Sequence, residues 1–347
     1  MSTAPGLRGP VAVIGAGLAG AVCARWLADA GLAVRVFDKS RGVGGRLATR
    51  RVDAPAGSDV PGWRFDHGAP GFSARSPAFL RFVEQAQADG LLARWLPRIA
   101  PGSYTPLDDT ALWVAVPDQP ALCRALLAGV PVHTHCPVDG LRRDPEGWRL
   151  ESAGAAVATG FAAVVLAVPA PQAVALLQPH RADWAQRARA MAMRPAWALM
   201  GVTDDAPGLA AWDLAWPPEG PLACVLRNDA KPGRTRVAGQ AQWVVQATAA
   251  WSQTHLEDDA ASVQAALQAA LAQWLGRPLV WRHAAVHRWR YATAVRESAL
   301  AGQAAWDGAL GLGWCGDAPG GSGVEAAWGS ARALTRLLLD PPPGPQA

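Results

Sequence analysis

The chain has 347 residues, 50% of them hydrophobic and 17% charged, enough to bury a large core and too apolar for wholesale disorder. Its net charge is +4, and its cations are nearly all scattered arginines (Lys39 and Lys231 are the lysines), which argues against a nucleic-acid-binding face. The five cysteines, Cys23, Cys123, Cys136, Cys224 and Cys315, have no paired spacing, the N-terminal apolar run is broken by glycines, Arg25 and Asp29, and no stretch reaches ~18 apolar residues, so reduced thiols, a cytoplasmic location and no membrane partner are expected.

The first predicted element is a buried parallel strand over Val11–Ile14. Gly15, Gly17 and Gly20 follow, spaced for a tight turn, a close backbone approach to a pyrophosphate and a close helix–strand contact. The helix from about Leu18 to Ala28 then aims its N-terminal amides and dipole at the phosphates. Ala30-Gly31 ends it, and Ala33–Phe37 forms a second strand with Asp38 at its tip. A carboxylate there accepts from ribose hydroxyls and repels a 2′-phosphate, so FAD or NAD is favoured over NADP. Next comes Arg41-Gly42-Val43-Gly44-Gly45-Arg46. Its glycines let the main chain lie against a cofactor, and its arginines can neutralise pyrophosphate charge.

Ser76–Ala100 reads as helical and 101–113 as loop and strand. Pro117 is expected to open a helix running to Leu127, and 132–150 is strand-rich. Ala163–Val168 reads as a buried strand ending at Pro169. Further strands are expected around Trp197, Trp212 and Trp243, then a helix from Asp259 to Leu275 and a strand over 279–291. Leu310–Cys315 is a last strand before Gly316-Asp317, where Asp317 would hold a ribityl hydroxyl or the phosphate region. Val324–Leu339 is a helix by the spacing of its apolar residues. Its N-terminus can stabilise negative charge on the pyrimidine edge of a flavin. The glycine turn, the arginine–glycine loop and this C-terminal segment together point to FAD.

The fold expected is α/β, with a discontinuous Rossmann-like FAD-binding domain and a substrate domain on a mixed or antiparallel sheet with helices. The FAD domain is expected over 1–75, 117–181 and 291–340, the substrate domain over 76–116 and 182–290, and a disordered tail over 341–347.

At this point the chain resembles the bacterial renalases, a branch of the amine-oxidase-like flavoproteins with a GR2-type FAD domain. The resemblance is carried by 37–46, 165–173, Arg227-Asn228 with Lys231-Pro232-Gly233-Arg234, Trp243-Val244 with Ala247-Thr248 and Trp251-Ser252, His287-Arg288-Trp289 with Tyr291-Ala292, and Cys315-Gly316-Asp317 with Val324-Glu325 and Ala327-Trp328. It implies non-covalent FAD held by Gly15, Gly17, Leu18, Ala19, Gly20, Asp38, Lys39, Arg41, Gly44, Gly45, Arg46, Gly68, Ala69, Val138, Gly316, Asp317, Val324, Glu325 and Ala326. It also implies a substrate pocket lined by Asn228, Trp243, Gln246, His287 and Tyr291. The activity implied is hydride transfer from 2- or 6-dihydroNAD(P) to FAD and on to O2, giving NAD(P)+ and hydrogen peroxide. The chain departs from the family pattern at Pro70-Gly71, where Gln-Tyr is usual, at Gln246, where histidine is common, and at Gly323, where an arginine precedes the Val-Glu pair.

Other constellations carry less. His133, His135 and Cys136 would share a strand face as the start of a metal site, but no second pair completes it. His283 and His287 have HExxH spacing with Ala284 in place of the Glu, in a segment that reads as strand. No GxSxG elbow occurs. No catalytic acid–base dyad stands out, so the chemistry is expected to be flavin-centred. An amine oxidase or desaturase on the same scaffold, and a flavin-binding protein without turnover, are the alternative readings.

Overall fold

A computed structural model describes residues 9–53, 62–104, 111–205, 209, 211–295 and 304–340. The expected tail over 341–347 lies outside the described residues. The chain divides into two units, Met1–Gly45 with Leu122–Met193 and Thr293–Ala347, and Arg46–Ala121 with Arg194–Ala292.

The first unit is built on a six-stranded sheet. Its spatial order is Ala305–Asp307, Leu312–Trp314, Ala163–Leu166, Val11–Ile14, Val34–Phe37, Val132–His133. All neighbours are parallel except the edge strand Ala305–Asp307. Val11–Ile14 and Ala163–Leu166 are buried at every residue, as parallel strands covered on both faces must be. The chain leaves Val11–Ile14 in one direction and later returns to its other side. The crevice beyond the carboxyl end of that strand is therefore the topological switch point where such sheets bind ligands. Helices Leu18–Asp29 and Gly323–Leu339 pack together. The second buries Trp328, Ala331, Leu334, Thr335 and Leu338, one face at helical spacing. A three-stranded antiparallel sheet over 140–161 adds Trp148 and Phe161 to the core, with Trp184 and Trp314.

The second unit centres on a five-stranded sheet in the order Leu214–Ala215, Leu222–Arg227, Gln240–Ala247, Met193–Asp204, Trp281–Ala294. Strand alternation divides its side chains between two cores. Trp197, Leu199, Trp243 and Val245 meet Val263, Leu267 and Leu271 of the helix Ala260–Trp274. Met200, Val202 and Val244 meet Trp63, Phe65, Trp95 and Leu112. Asp259 caps that helix by accepting from the amides of Ala261 and Ser262 at 3.0 Å each.

Some sequence expectations differ from what is observed. The helix expected over Ser76–Ala100 runs only from Pro77 to Ala88. Gly90, at φ +72°, stops it, and Leu92–Trp95 is a strand paired with Leu112–Ala115. The helix expected from Pro117 begins at Ala121 instead. The side chain of Gln119 is engaged by the amide of Ala115 and the carbonyl of Ala69, which keeps this stretch a turn. Residues 46–75 group with the second unit rather than the nucleotide-binding sheet, because Arg50–Val52 pairs with Trp63–Phe65 and Asp66 is bound there by Lys231 and Arg234. Residues 182–193 group with the first. His135 lies beyond the strand Val132–His133 with φ +52°, so the two histidines do not share a strand face.

Candidate cofactor and substrate sites

In the first unit the turn after Val11–Ile14 leaves no room for a side chain at Gly15 or Gly20. Gly15 has φ +107°, and a Cβ on Gly20 would stand 1.9 Å from the Gly15 carbonyl oxygen. The arginine–glycine loop lies on this turn. The amide of Gly44 donates to the carbonyl of Ala16 at 2.9 Å, and a Cβ on Gly45 would stand 3.0 Å from the Gly17 Cα. Gly17 caps the helix Leu18–Asp29 without a side chain, and no acidic residue occupies its first turn. The amides of Leu18, Ala19 and Gly20 thus begin the helix with no side-chain cap, the arrangement that accepts a pyrophosphate. The residues present fit a dinucleotide.

Asp38 is 9% exposed and does more than its position at the strand tip implies. Its Oδ2 accepts from the amide of Ala16 at 2.7 Å and its Oδ1 from the amide of Ser40 at 2.7 Å. The carboxylate therefore ties the glycine turn to the second strand, and each oxygen keeps a lone pair for a ribose hydroxyl. Lys39 and Arg41 are exposed beside it. Val138 is half-buried against the first unit's core. Gly316 has φ +151°, and its amide donates to Ser330 Oγ at 3.2 Å. Asp317, 4% exposed, starts the short helix Asp317–Gly320. Val324, Glu325 and Ala326 form the first turn of Gly323–Leu339, whose N-cap Ser322 makes no side-chain capping bond. Gly323 has φ +85°, a conformation that strains any residue with a side chain and accounts for glycine there.

In the second unit the segment Asp66–Ala69 is held by a buried charge network. Lys231 Nζ lies 3.1 Å and the Arg234 guanidinium 2.6 Å from Asp66 Oδ2, while Thr49 donates to Oδ1 at 2.6 Å. Burial pushes the Asp66 pKa up, but the two cations and the Thr49 bond outweigh it and hold the carboxyl below its ordinary value. Burial lowers Lys231 against the pull of Asp66. Gly68 sits where a Cβ would meet the Arg46 carbonyl oxygen at 2.0 Å, and the amide of Ala69 donates to that same oxygen at 2.9 Å. Arg46 itself donates to the carbonyl of Ala292 at 3.0 Å.

Against this segment stands one face of the strand Trp281–Ala294. The rings of His67 and His287 are 4.7 Å apart and T-shaped, and Trp289 lies 5.2 Å from His67 and 4.4 Å from His287. Trp289 Nε1 donates to the His67 carbonyl at 2.9 Å, and Gln246 Nε2 donates to the Gly68 carbonyl at 2.5 Å. Burial, then the neighbouring His287, lowers His67 to about 4; burial and then Arg50 lower His287. Both imidazoles are neutral at pH 7.

Of the five pocket candidates, Gln246 and His287 meet at this cluster, and Tyr291 lies further along the His287 face of the same strand. Trp243 does not join them. Three residues from Gln246, it points to the opposite face of the sheet, is 0% exposed, and donates from Nε1 to Thr203 at 2.9 Å inside the helix-covered core. Asn228 is also fully buried. It accepts from the amide of Asp66 at 3.2 Å and donates to the carbonyl of Arg64 at 2.8 Å, so it anchors the segment. The sequence reading missed His67 and Trp289 as partners of His287. No pattern in the sequence around His67 pointed to it. Gly71, at the first departure, is pressed on the strand Leu112–Ala115, where a Cβ would meet Leu112 Cβ at 3.1 Å.

Comparison with known proteins gives the same architecture. Residues 13–86 match an NAD(P)-binding Rossmann-like domain, and residues 115–338 match the flavin containing amine oxidoreductases. A protein of Exiguobacterium sp. 255-15 assigned as a protoporphyrinogen oxidase superposes with TM-score 0.71 at 12% identity, covering 96% of this chain and 99% of that one. Putrescine oxidase bound to putrescine gives TM-score 0.63 at 14% identity, with 97% and 99% covered. Reduced UDP-galactopyranose mutase gives 0.67 at 9%, with 95% and 96% covered. These likenesses establish the fold, and the family match, which spans well over half the chain, establishes the kinship: the chain belongs to the flavin-containing amine oxidoreductase family and is a FAD-dependent oxidoreductase.

Proposed function

We propose that the protein oxidises dihydropyridine isomers of NAD(P)H, those reduced at ring position 2 or 6, passing the hydride to non-covalently held FAD and then to O2, with NAD(P)+ and hydrogen peroxide as products. The reading makes it renalase-like and cytoplasmic. The observation that carries it is the neutral imidazole–indole face of His67, His287 and Trp289. A dihydropyridine becomes aromatic as its hydride leaves, so it needs an uncharged wall and a fixed position rather than a base. Asp66, the carboxylate beside that wall, is already engaged by two cations and does not offer a counter-charge to an ammonium.

Bound FAD would supply the two-electron acceptor. The chain's own residues would do the rest. Gly15, Gly17 and Gly20 admit the pyrophosphate, and Asp38 holds that turn while its remaining lone pairs meet the ribose. Gln246 fixes the Gly68 carbonyl, and Trp289 fixes the His67 carbonyl, so the imidazole wall keeps one geometry. The wall and Tyr291 position the pyridine ring and exclude water from it.

Amine oxidation is the second reading. The family match favours it, as does the likeness to a putrescine oxidase crystallised with putrescine. Oxygen-coupled turnover tests the two. The proposal expects one hydrogen peroxide per 2- or 6-dihydroNAD(P) consumed, and a rate that changes little between pH 7 and 8. Turnover with alkylamines, rising with pH and absent with the dihydropyridines, would favour the second reading.

A further inference from the structure

Arg50 takes no part in the charge network described above. Arg50 stands in the ribbon formed by Arg50–Val52 and Trp63–Phe65, directly opposite Phe65. Opposite residues of an antiparallel pair share a face, so the Arg50 side chain leaves on the side of Phe65 and Trp63. That side faces the strand Trp281–Ala294. The ring of His283 lies nearly parallel to those of Trp63 and Phe65, with centroids 5.8 and 6.1 Å away. His283 and His287, four residues apart on a strand, project on that same face.

The other cations here have carboxylates. Arg51, on the opposite face of the ribbon, reaches Asp118 at 3.4 Å, and Arg64 reaches it at 3.9 Å. Lys231 and Arg234 share Asp66. Among the described residues no carboxylate pairs with Arg50, which is half-buried. An independent observation lies beside it: His283 Nε2 is buried and has no hydrogen-bond partner among the described residues. A half-buried guanidinium without a counter-ion and a buried imidazole nitrogen without a partner are each costly, and one anion would satisfy both. The charge of Arg50 also acts, after burial, to lower His283 and His287, which agrees with their nearness.

We propose that Arg50, with His283, forms an anion subsite in the second unit that takes a phosphate group of a nucleotide substrate. The guanidinium fork gives two parallel bonds to phosphate oxygens, and the His283 imidazole gives a further donor. The identity of the ligand rests on the proposed function; the existence of the subsite does not. The subsite distinguishes a dinucleotide from a bare dihydropyridine, a selectivity that the aromatic wall alone would not provide.

The test uses the FAD-loaded protein, so that the glycine turn is already filled. Inorganic pyrophosphate is titrated against tryptophan fluorescence in wild type, Arg50→Met, Arg50→Lys and Arg51→Met. The expected result is saturable binding that weakens about tenfold in Arg50→Met, less in Arg50→Lys, and stays within twofold in Arg51→Met, which removes the same charge from the opposite face. In turnover, KM for 6-dihydroNAD should rise about tenfold in Arg50→Met with kcat within twofold, while the phosphate-free 6-dihydronicotinamide riboside is unaffected. Equal pyrophosphate binding in wild type and Arg50→Met, or equal losses in Arg50→Met and Arg51→Met, overturns the subsite. If no dihydropyridine is oxidised yet Arg50→Met alone loses pyrophosphate, the subsite stands and the proposed function falls.

Discussion

Replacing Asp38 separates two roles that the sequence alone would merge. The Asp38→Ala change removes the acceptor of the Ala16 amide and of the Ser40 amide, both at 2.7 Å. Ser40 is exposed and water can take over its bond, but Ala16 is 0% exposed and its N–H would be left buried and unpaired. That costs about 1–3 kcal/mol, and the bond lost is charge-assisted, so ~2 kcal/mol is expected before any cofactor binds. Because the same turn receives the pyrophosphate, FAD affinity should fall as well, by about 30-fold for a further ~2 kcal/mol from the loosened turn and the lost ribose contact. Asp38→Asn keeps one oxygen for Ala16 and turns its NH2 toward exposed Ser40, so most of the fold stability should survive. Urea unfolding of the apoprotein reads the first effect and flavin fluorescence on reconstitution reads the second. If Asp38→Ala leaves both at wild-type values, Asp38 neither holds the turn nor meets the cofactor.

Acid precipitation should release the flavin intact as FAD; colour retained in the pellet would mean a covalent link. Gly20→Ala would put a methyl carbon 1.9 Å from the Gly15 carbonyl oxygen, a backbone atom that cannot swing aside, so it should cost about 1–3 kcal/mol and purify with little flavin, as absorbance at 450 nm would read. Asp66→Asn leaves Lys231 and Arg234 buried without their counter-charge, and should destabilise the protein by about 3–5 kcal/mol in denaturant titration, more than Lys231→Met, which leaves the Arg234 pair intact. His67 is lowered by burial from 6.5 to about 4, so between those values the unfolded chain binds a proton that the native state refuses. Stability should therefore fall as pH drops from about 6.5 toward 4, by up to ~3 kcal/mol from this residue, and His67→Gln should flatten that slope in urea midpoints taken at pH 7.5 and 5.

The first unit was legible because its signals are local. Gly15 is demanded by its own φ of +107° and Gly20 by the Gly15 carbonyl five residues away, and helix Gly323–Leu339 shows its buried face in its own spacing. The second unit was less so, because its decisive contacts span long separations. Asp66 meets Lys231 across 165 residues and His67 meets Trp289 across 222, and no local pattern encodes either. Motif membership placed Trp243 and Gln246 together, but a spacing of three on a strand sends them to opposite faces. Asn228 looked like a polar pocket residue and is instead a buried anchor for backbone groups that would otherwise lack partners. Residues 46–75 are expected in the FAD-binding domain, whereas the pairing of Arg50–Val52 with Trp63–Phe65 groups that stretch with the second unit.

The most direct measurement mixes the FAD-loaded protein anaerobically with 2-dihydroNAD(P), 6-dihydroNAD(P), ordinary 4-dihydroNADH and alkylamines, and follows flavin absorbance. A wall that fixes ring position 2 or 6 at reacting distance leaves position 4 misplaced, and small misplacements can cost ~100-fold in rate. The account predicts rapid bleaching by one or both isomers, at least ~100-fold slower bleaching by 4-dihydroNADH, and none by amines. Bleaching by amines with none by the isomers, or no bleaching by any of the four, would contradict it.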